Sequence, residues 1–550
     1  MRQRGVVLAA VAALALAAPA AAWAHAALLH TFPQASQLLD TQPGFVKLTY
    51  DEVVEPRFAI VSVTDADGHP QTAGVPERSP SDPYTIQVPV RHLAEGWYLV
   101  FWRAISADGH PVRGAFTFQI GPNPGPAPQF VIPPLTETAA TPGLVSMRWV
   151  AFLSLMTALG LFFLRVVIVR PVRERLRAVS TAFVVALAVA LVAVPVYVLV
   201  ATAQFALRPW YDVGALVPLL GVSAFGRGML RLELMLALFG FAACVALWLD
   251  RPERGKRSVA ALLALWGALL AGGATLLAPG AAGHAAQTAP RWLSIALDWT
   301  HLAGGSIWVG GLVGLLVLWR SAPLGMAVSL PRFSNAAFFS VLAVIGSGTG
   351  ASVIHLPTVA SLWETPYGEA LLVKIGLLAV ALVAAAVNLV RTRRGVLALR
   401  GLVAGEAALA AGIVLAAAVL SSEPPPAKAL AHLGSPAVTT GPGPVTSVVN
   451  QDGYRFELHV DPNRVGLAND FAVRVLRDGK PVNGLGVTAT FTMLDMDMPT
   501  QTYALAGAGN GLYERSAPAL VMVGRWAFTF EFTPPGGQPF DVLVVDHASG

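Results

Sequence analysis

Cysteine is almost missing from this chain of 550 residues: Cys244 is the only one. That excludes disulfides within the chain and metal sites built on cysteine clusters, so metal chemistry falls to His, Met, Asp or Glu. Charge is scarce too. Only 13% of residues are charged and 55% are hydrophobic, where an average soluble protein is about 25% charged. A wholly soluble enzyme and intrinsic disorder are thereby excluded, and a polytopic membrane protein with attached soluble domains is expected. No Walker motif or other nucleotide-binding signature occurs, which leaves ATP-driven pumping unsupported. A net charge of +5 would suggest nucleic acid as partner of a soluble protein. Here it reads as arginines in cytoplasmic loops, with no nucleic-acid partner.

What is present begins with a leader. Arg2 and Arg4 precede an apolar run over 6–22, and Ala22-Trp23-Ala24 fits the small-x-small rule for signal peptidase. The alternative, an uncleaved first transmembrane helix, fits less well because the run is short and Ala-rich and a soluble-looking segment follows. Cleavage after Ala24 makes His25 the new N-terminus.

Three parts follow. Residues 25–121 hold β-branched and aromatic runs such as FVKLTY (45–50), GWYLVFWRAIS (96–106) and GAFTFQI (114–120), separated by Gly, Pro and Asp turns. They predict an exported all-β sandwich of about seven short strands. Residues 122–143 form a Pro/Gly-rich linker. Over 144–420, apolar stretches near 144–169, 179–203, 229–249, 258–279, 292–319, 336–356, 370–390 and 401–420 predict an eight-helix transmembrane bundle. The basic loops 170–177, 250–257, 320–332 and 391–400 alternate with loops poor in Lys and Arg, which places these four in the cytoplasm. Both soluble domains then lie outside a bacterial cytoplasmic membrane, and the even count of spans agrees with an exported start. Loop 204–228 is apolar enough to lie on the outer membrane face. A linker at 421–444 leads to a second exported all-β sandwich at 445–550, where YRFELHVD (454–461) and GRWAFTFEFT (524–533) alternate cleanly.

An N-terminal histidine can chelate one metal ion through its α-amine and ring Nδ1, and nitrogen ligands in tetragonal array favour Cu(II). Ser106-Ala107-Asp108-Gly109-His110-Pro111 offers a carboxylate and an imidazole two residues apart. Asp67-Gly68-His69 repeats the tripeptide, so the pattern alone does not choose between them.

At this point the chain resembles CopC, the exported copper-binding sandwich, in HAALLHTFPQ at the mature start and in GWYLVFWRAISADGHPVRGAFTF (96–118). The resemblance implies that His25, Asp108 and His110 bind Cu(II), and that Asp67 and His69 are turn residues. No Met or Cys lies between His25 and Ser146, so soft Cu(I) ligands are missing and a Cu(II)-only site is expected.

The membrane part resembles CopD, the eight-helix copper-transport family, in GHAAQ (283–287), DWTHLAGGSIWVGGL (298–312), RFSNAAFFSVLAVIGSGTG (332–350) and TPYGEALLVKIGLL (365–378). The same residues stand out physically, since charged or imidazole groups within apolar helices usually face a polar interior. Asp298 and His301 are three apart and share a helix face. With His284 in the preceding outer loop and His355 ending the next span, three imidazoles at one membrane face are expected to receive copper. Lys374 is expected to pair with Asp298 or Glu369, and Glu406 to act lower in the pathway. Interfacial His or Glu residues that merely bond headgroups or helix ends are the plainer alternative. Gly304, Gly305, Gly310 and Gly311 are assigned to close helix packing.

The last domain resembles YtkA-like exported modules. Its Met493, Met496 and Met498 are candidate Cu(I) ligands, with core packing the competing role.

The resulting expectation is a non-enzymatic copper importer embedded in the lipid bilayer. A homeostasis or resistance device that sequesters copper and hands it to exported copper chaperones or cuproproteins is the alternative. A polysaccharide-cleaving copper oxygenase also begins with such a histidine, but it leaves equatorial room for oxygen that Asp108 and His110 would fill.

Overall fold

The computed structural model describes residues 28–549 except 36, 51, 106–110, 125–127, 129–140, 170–175, 251–255, 284, 286–289, 394–399, 424–435, 452, 496–499, 522 and 535–538. The chain falls into two compact units, Ala139–Glu423 and the two β-domains that flank it in sequence.

The N-terminal β-domain is a sandwich of two four-stranded sheets. One sheet runs in the order β1 (Leu28–Phe32), β3 (Phe45–Tyr50), β6 (Thr85–Pro89), β5 (Glu77–Arg78). The other runs β2 (Leu38–Leu39), β8 (Pro111–Ile120), β7 (Gly96–Ile105), β4 (Ile60–Asp65). Alternation carries the packing: Val46, Leu48 and Tyr50 of β3 are buried while their neighbours are not. They meet Val100, Trp102, Phe116 and Phe118 from the opposite sheet in one core.

The helical unit holds, among the described residues, eight helices long and apolar enough to cross a membrane. They are α1 (Pro142–Phe163, prolonged by a π-turn to Ile168), α2 (Arg177–Phe205), α4 (Ala224–Leu249), α5 (Val259–Ala282), α6 (Arg291–Ser321), α7 (Pro323–His355), α8 (Pro366–Arg393) and α9 (Arg400–Leu420). Between α2 and α4 the apolar loop is itself a helix, α3 (Val213–Val222), capped by the Asp212 carboxylate accepting from Ala215 N–H. Segment 320–332 is not a loop as expected. Pro323 sits in the first turn of α7, where a missing N–H costs nothing, and Ala322 alone separates α7 from α6.

Arg148 near the start of α1 bonds Tyr197 Oη at 3.1 Å, Ser421 Oγ at 2.9 Å and Ser422 Oγ at 2.7 Å. The start of α1, the end of α2 and the end of α9 therefore meet at one end of the bundle. Both connections to the β-domains leave from that end.

The glycines assigned to packing do pack. A Cβ on Gly310 would lie 2.5 Å from the Gly160 Cα, one on Gly311 1.9 Å from the Phe333 ring, and one on Gly304 2.7 Å from the Ser340 carbonyl. Helix α6 thus lies against α1 and α7 at backbone distance.

The C-terminal β-domain, which includes β10 (Val445–Gln451), β11 (Tyr454–Asp461), β12 (Asn469–Arg477), β13 (Lys480–Pro481) and β17 (Gly524–Thr533), is one sheet of ten strands in the order β10-β11-β12-β16-β15-β14-β17-β18-β9, with β13 beside β12. It bends at β15 (Gln501–Gly509), which pairs with β14 (Gly486–Met493) through its first half and β16 (Leu512–Ala517) through its second. The two layers enclose one core that includes Phe456, Phe471, Phe491, Trp526 and Phe528. The domain starts earlier than 445: β9 (Val438–Thr440) runs parallel to β18 (Phe540–Ala548) and Thr440 bonds the Asp546 carboxylate at 2.8 Å. A three-residue edge strand is too short to show an alternation.

Candidate metal centre

His25, Asp108 and His110 lie outside the described residues, but the strands that carry them are fixed. Strands β7 and β8, on either side of 106–110 in sequence, pair from Gly96↔Ile120 to Ile105↔Pro111. Strand β1 begins three residues after His25, and its Leu28 pairs with Tyr50. The Tyr50 ring lies 6.0 Å from that of Trp102 at 72°, and Trp102 is three residues before the turn. The start of β1 and the end of β7 therefore sit at the same end of the sandwich.

The other D-G-H copy is described. Asp65, Asp67 and His69 form the only group of three His, Cys, Asp or Glu among the described residues with ligand atoms mutually within 4.8 Å. The Asp65 carboxylate is already committed, accepting from His69 N–H at 2.8 Å, Asp67 N–H at 3.1 Å and Gln71 Nε2 at 2.7 Å. Burial, the largest single effect, opposes its ionisation, but the hydrogen bonds from His69, Gln71 and Asp67 together outweigh it and hold the carboxyl below its usual range. This is an Asx-type turn, as the resemblance implied.

Within the bundle, Asp298 and His301 lie about 10 and 15 Å along α6 from its start, at about 1.5 Å per residue. His301 is half-buried and faces α7 and α8. Its Nδ1 is 3.2 Å from Ser347 Oγ, and its Nε2 is 3.3 Å from Lys374 Nζ. The Ser347 hydroxyl donates to the Ala343 carbonyl at 2.6 Å, so it accepts from the imidazole. His301 is then the Nδ1–H tautomer, with its Nε2 lone pair facing the Lys374 ammonium. Gly348 leaves room for the ring, since a Cβ there would lie 3.2 Å from the imidazole carbon. Asp298 acts electrostatically on Lys374 and packs against Gly280 of α5.

The action of Asp298 on Lys374 is in line with the expected pair. Lys374 also lies 3.3 Å from His301 Nε2, a partner the sequence reading did not include, and Glu369 is exposed. Of the three imidazoles expected at one membrane face, His355 ends α7, about 12 Å along the helix from Ser347, and His284 lies outside the described residues.

Glu406 is buried at 4% exposure on α9, and its Oε1 has no hydrogen-bond partner. Asn388 of α8 lies beside it and was missed by sequence reading, because a lone Asn in an apolar run carries no motif. Two more polar or soft groups were missed. Glu233 of α4 keeps a buried, unpartnered Oε2. Met156 of α1 presses its methyl against Gly305, one turn inward from His301. An acidic residue inside an apolar span was a usable signal for Glu233. Met493 is a core residue at 2% exposure, with its methyl against Gly524. Met496 and Met498 lie outside the described residues.

Comparison with known proteins agrees with this layout. Family models match in order: the CopC domain over 28–121, Copper resistance protein D over 327–420 and a YtkA-like domain over 449–531. The Copper transport protein CutJ of Bacillus subtilis is 26% identical over 526 residues, covering 92% of this chain and 93% of its own. Copper resistance protein C of Escherichia coli is 30% identical over 106 residues, 18% of this chain and 83% of its own. A crystal structure of CopC from Methylosinus trichosporium OB3b aligns at 28% identity over 19% of this chain and 100% of that one, with a TM-score of 0.17. With the three domains in this order around eight apolar helices, the chain belongs to the fused CopC/CopD family of copper resistance and transport proteins, with a YtkA-like domain at its C-terminal side.

Proposed function

We propose that this multi-pass membrane protein captures Cu(II) outside the cytoplasmic membrane and moves copper inward, without being an enzyme. Capture falls to His25, Asp108 and His110 at one end of the first sandwich. Passage starts at Asp298 and His301 and ends near Glu406. The basic loops support the orientation, with both β-domains and the start of α1 on the outer side. One observation carries the transport reading. His301 sits about 15 Å inside a membrane-spanning helix with a tautomer fixed by Ser347 and a ring nitrogen turned to a cation. An intramembrane imidazole held this way is a ligand arrangement and not a headgroup contact. The similarity over 92% of the chain to a protein named for copper transport supports the same reading.

Cell copper in a strain lacking the gene tests the direction. Import predicts a fall in intracellular copper that the wild-type gene restores. A rise would overturn import and favour a device that sequesters copper for exported chaperones or cuproproteins.

A further inference from the structure

Lys374 stands where a cargo ion would. Its ammonium is 3.3 Å from the only ring nitrogen of His301 with a free lone pair, because Nδ1–H is spent on Ser347. Metal and ammonium need that same lone pair and cannot hold it together. Asp298 supplies negative charge to the same position. An ammonium paired with a carboxylate and a neutral imidazole is electrically balanced inside an apolar span.

We infer that Lys374 is a tethered stand-in for a monovalent copper ion, and that Cu(I) reaches His301 by exchanging with it. The exchange forms one Cu–Nε2 bond, breaks one N–H···N hydrogen bond and leaves the net charge unchanged, since one unit positive charge replaces another. Cu(II) would leave an extra positive charge in a low-dielectric site. Imidazole is a competent ligand for copper in either state, so charge and not ligand type makes the choice. The flexible lysine stem lets the ammonium move along α8 toward the start of that helix and away from His301. The exchange itself changes no oxidation state: it takes copper that arrives at the membrane site as Cu(I). The inference rests on the reading of His301 as a pathway residue.

The test is titration of the full-length protein in detergent with Ag(I), a monovalent ion with the same filled d10 shell as Cu(I). Lys374→Leu, which removes the ammonium and adds no ligand atom, should gain one Ag(I) equivalent bound about tenfold or more tighter than at this position in the wild type, because the competitor that lowers apparent affinity is gone. Lys374→Arg should stay near the wild type, and the double variant Lys374→Leu/His301→Gln should lose the gain. If Lys374→Leu fails to fold, Lys374→Ala carries the same expectation. An unchanged titration, or a gain that survives in the double variant, overturns the exchange. Uptake lost in His301→Gln beside an unchanged titration overturns the exchange alone. Uptake unaffected by His301→Gln removes the pathway reading itself.

Discussion

The Tyr50 ring meets Trp102 edge-on, 6.0 Å between centroids, and joins the two sheets of the first sandwich at one end. Both rings are nearly inaccessible, at 1% exposure each. Tyr50 also holds the start of β1 through Leu28. The pair therefore ties the start of β1 to the end of β7. Trp102→Ala should cost about 3–5 kcal/mol of domain stability and weaken Cu(II) binding with it. Adding one residue ahead of His25 should leave the fold intact but alter the Cu(II) EPR spectrum, because the α-amine moves away from the ring. An unchanged spectrum and affinity would remove the N-terminal chelate.

Ser347 fixes the His301 tautomer without touching cargo. Ser347→Ala removes the acceptor for Nδ1–H, lets the ring turn, and should lower copper uptake by about tenfold, the usual scale for losing a partner that orients a ligand. Ser347→Thr, which keeps the hydroxyl, should recover most of it. Equal loss in both variants would mean that packing matters here and not the hydrogen bond.

At the α1–α6 crossing, a Cβ on Gly160 would fall 1.9 Å from the Ser306 carbonyl and 2.7 Å from the Gly310 Cα. Neither neighbour is a movable side chain. Gly160→Ala should separate the helices and cost at least about 1–3 kcal/mol, seen as a lower melting temperature in detergent. Gly267→Ala, where no heavy atom lies within 4 Å, should be neutral or slightly stabilising.

In the last domain Asp546 is fully buried, and burial pushes its carboxyl above the usual carboxylate range although Thr440 and Asn463 donate to it. Its Oδ2 has no partner. A raised folded value means that the folded state holds this proton more tightly than the unfolded chain. The contribution to stability is complete below the unfolded value and is lost as pH rises through the folded one. Denaturation followed across that window should show this decline, and Asp546→Asn should flatten it. An unchanged slope in the variant would assign the pH dependence to another group.

Much of this was legible before any coordinates. The eight spans, the packing glycines and the two sandwiches follow from run length, small residues at a helix face and two-residue alternation. Those signals arise within single elements. What could not be read is relational. The pairing of Lys374 with His301 depends on how far α8 is rotated and shifted against α6, which hydropathy does not encode. Asn388 beside Glu406 needs the same information. Strand β9 escaped because three residues show no period, and α7 ran longer than expected because segment 320–332 reads as a basic connecting loop although Pro323 serves at a helix start.

The central claim is inward copper movement through His301. The most direct measurement is the initial uptake of radioactive copper by cells lacking the native gene and carrying either the wild-type protein or His301→Gln at equal membrane levels. The account predicts rapid accumulation with the wild type and a rate near that of empty cells with the variant. Equal uptake by the two, or copper held at the cell surface without entering the cytoplasm, would contradict it.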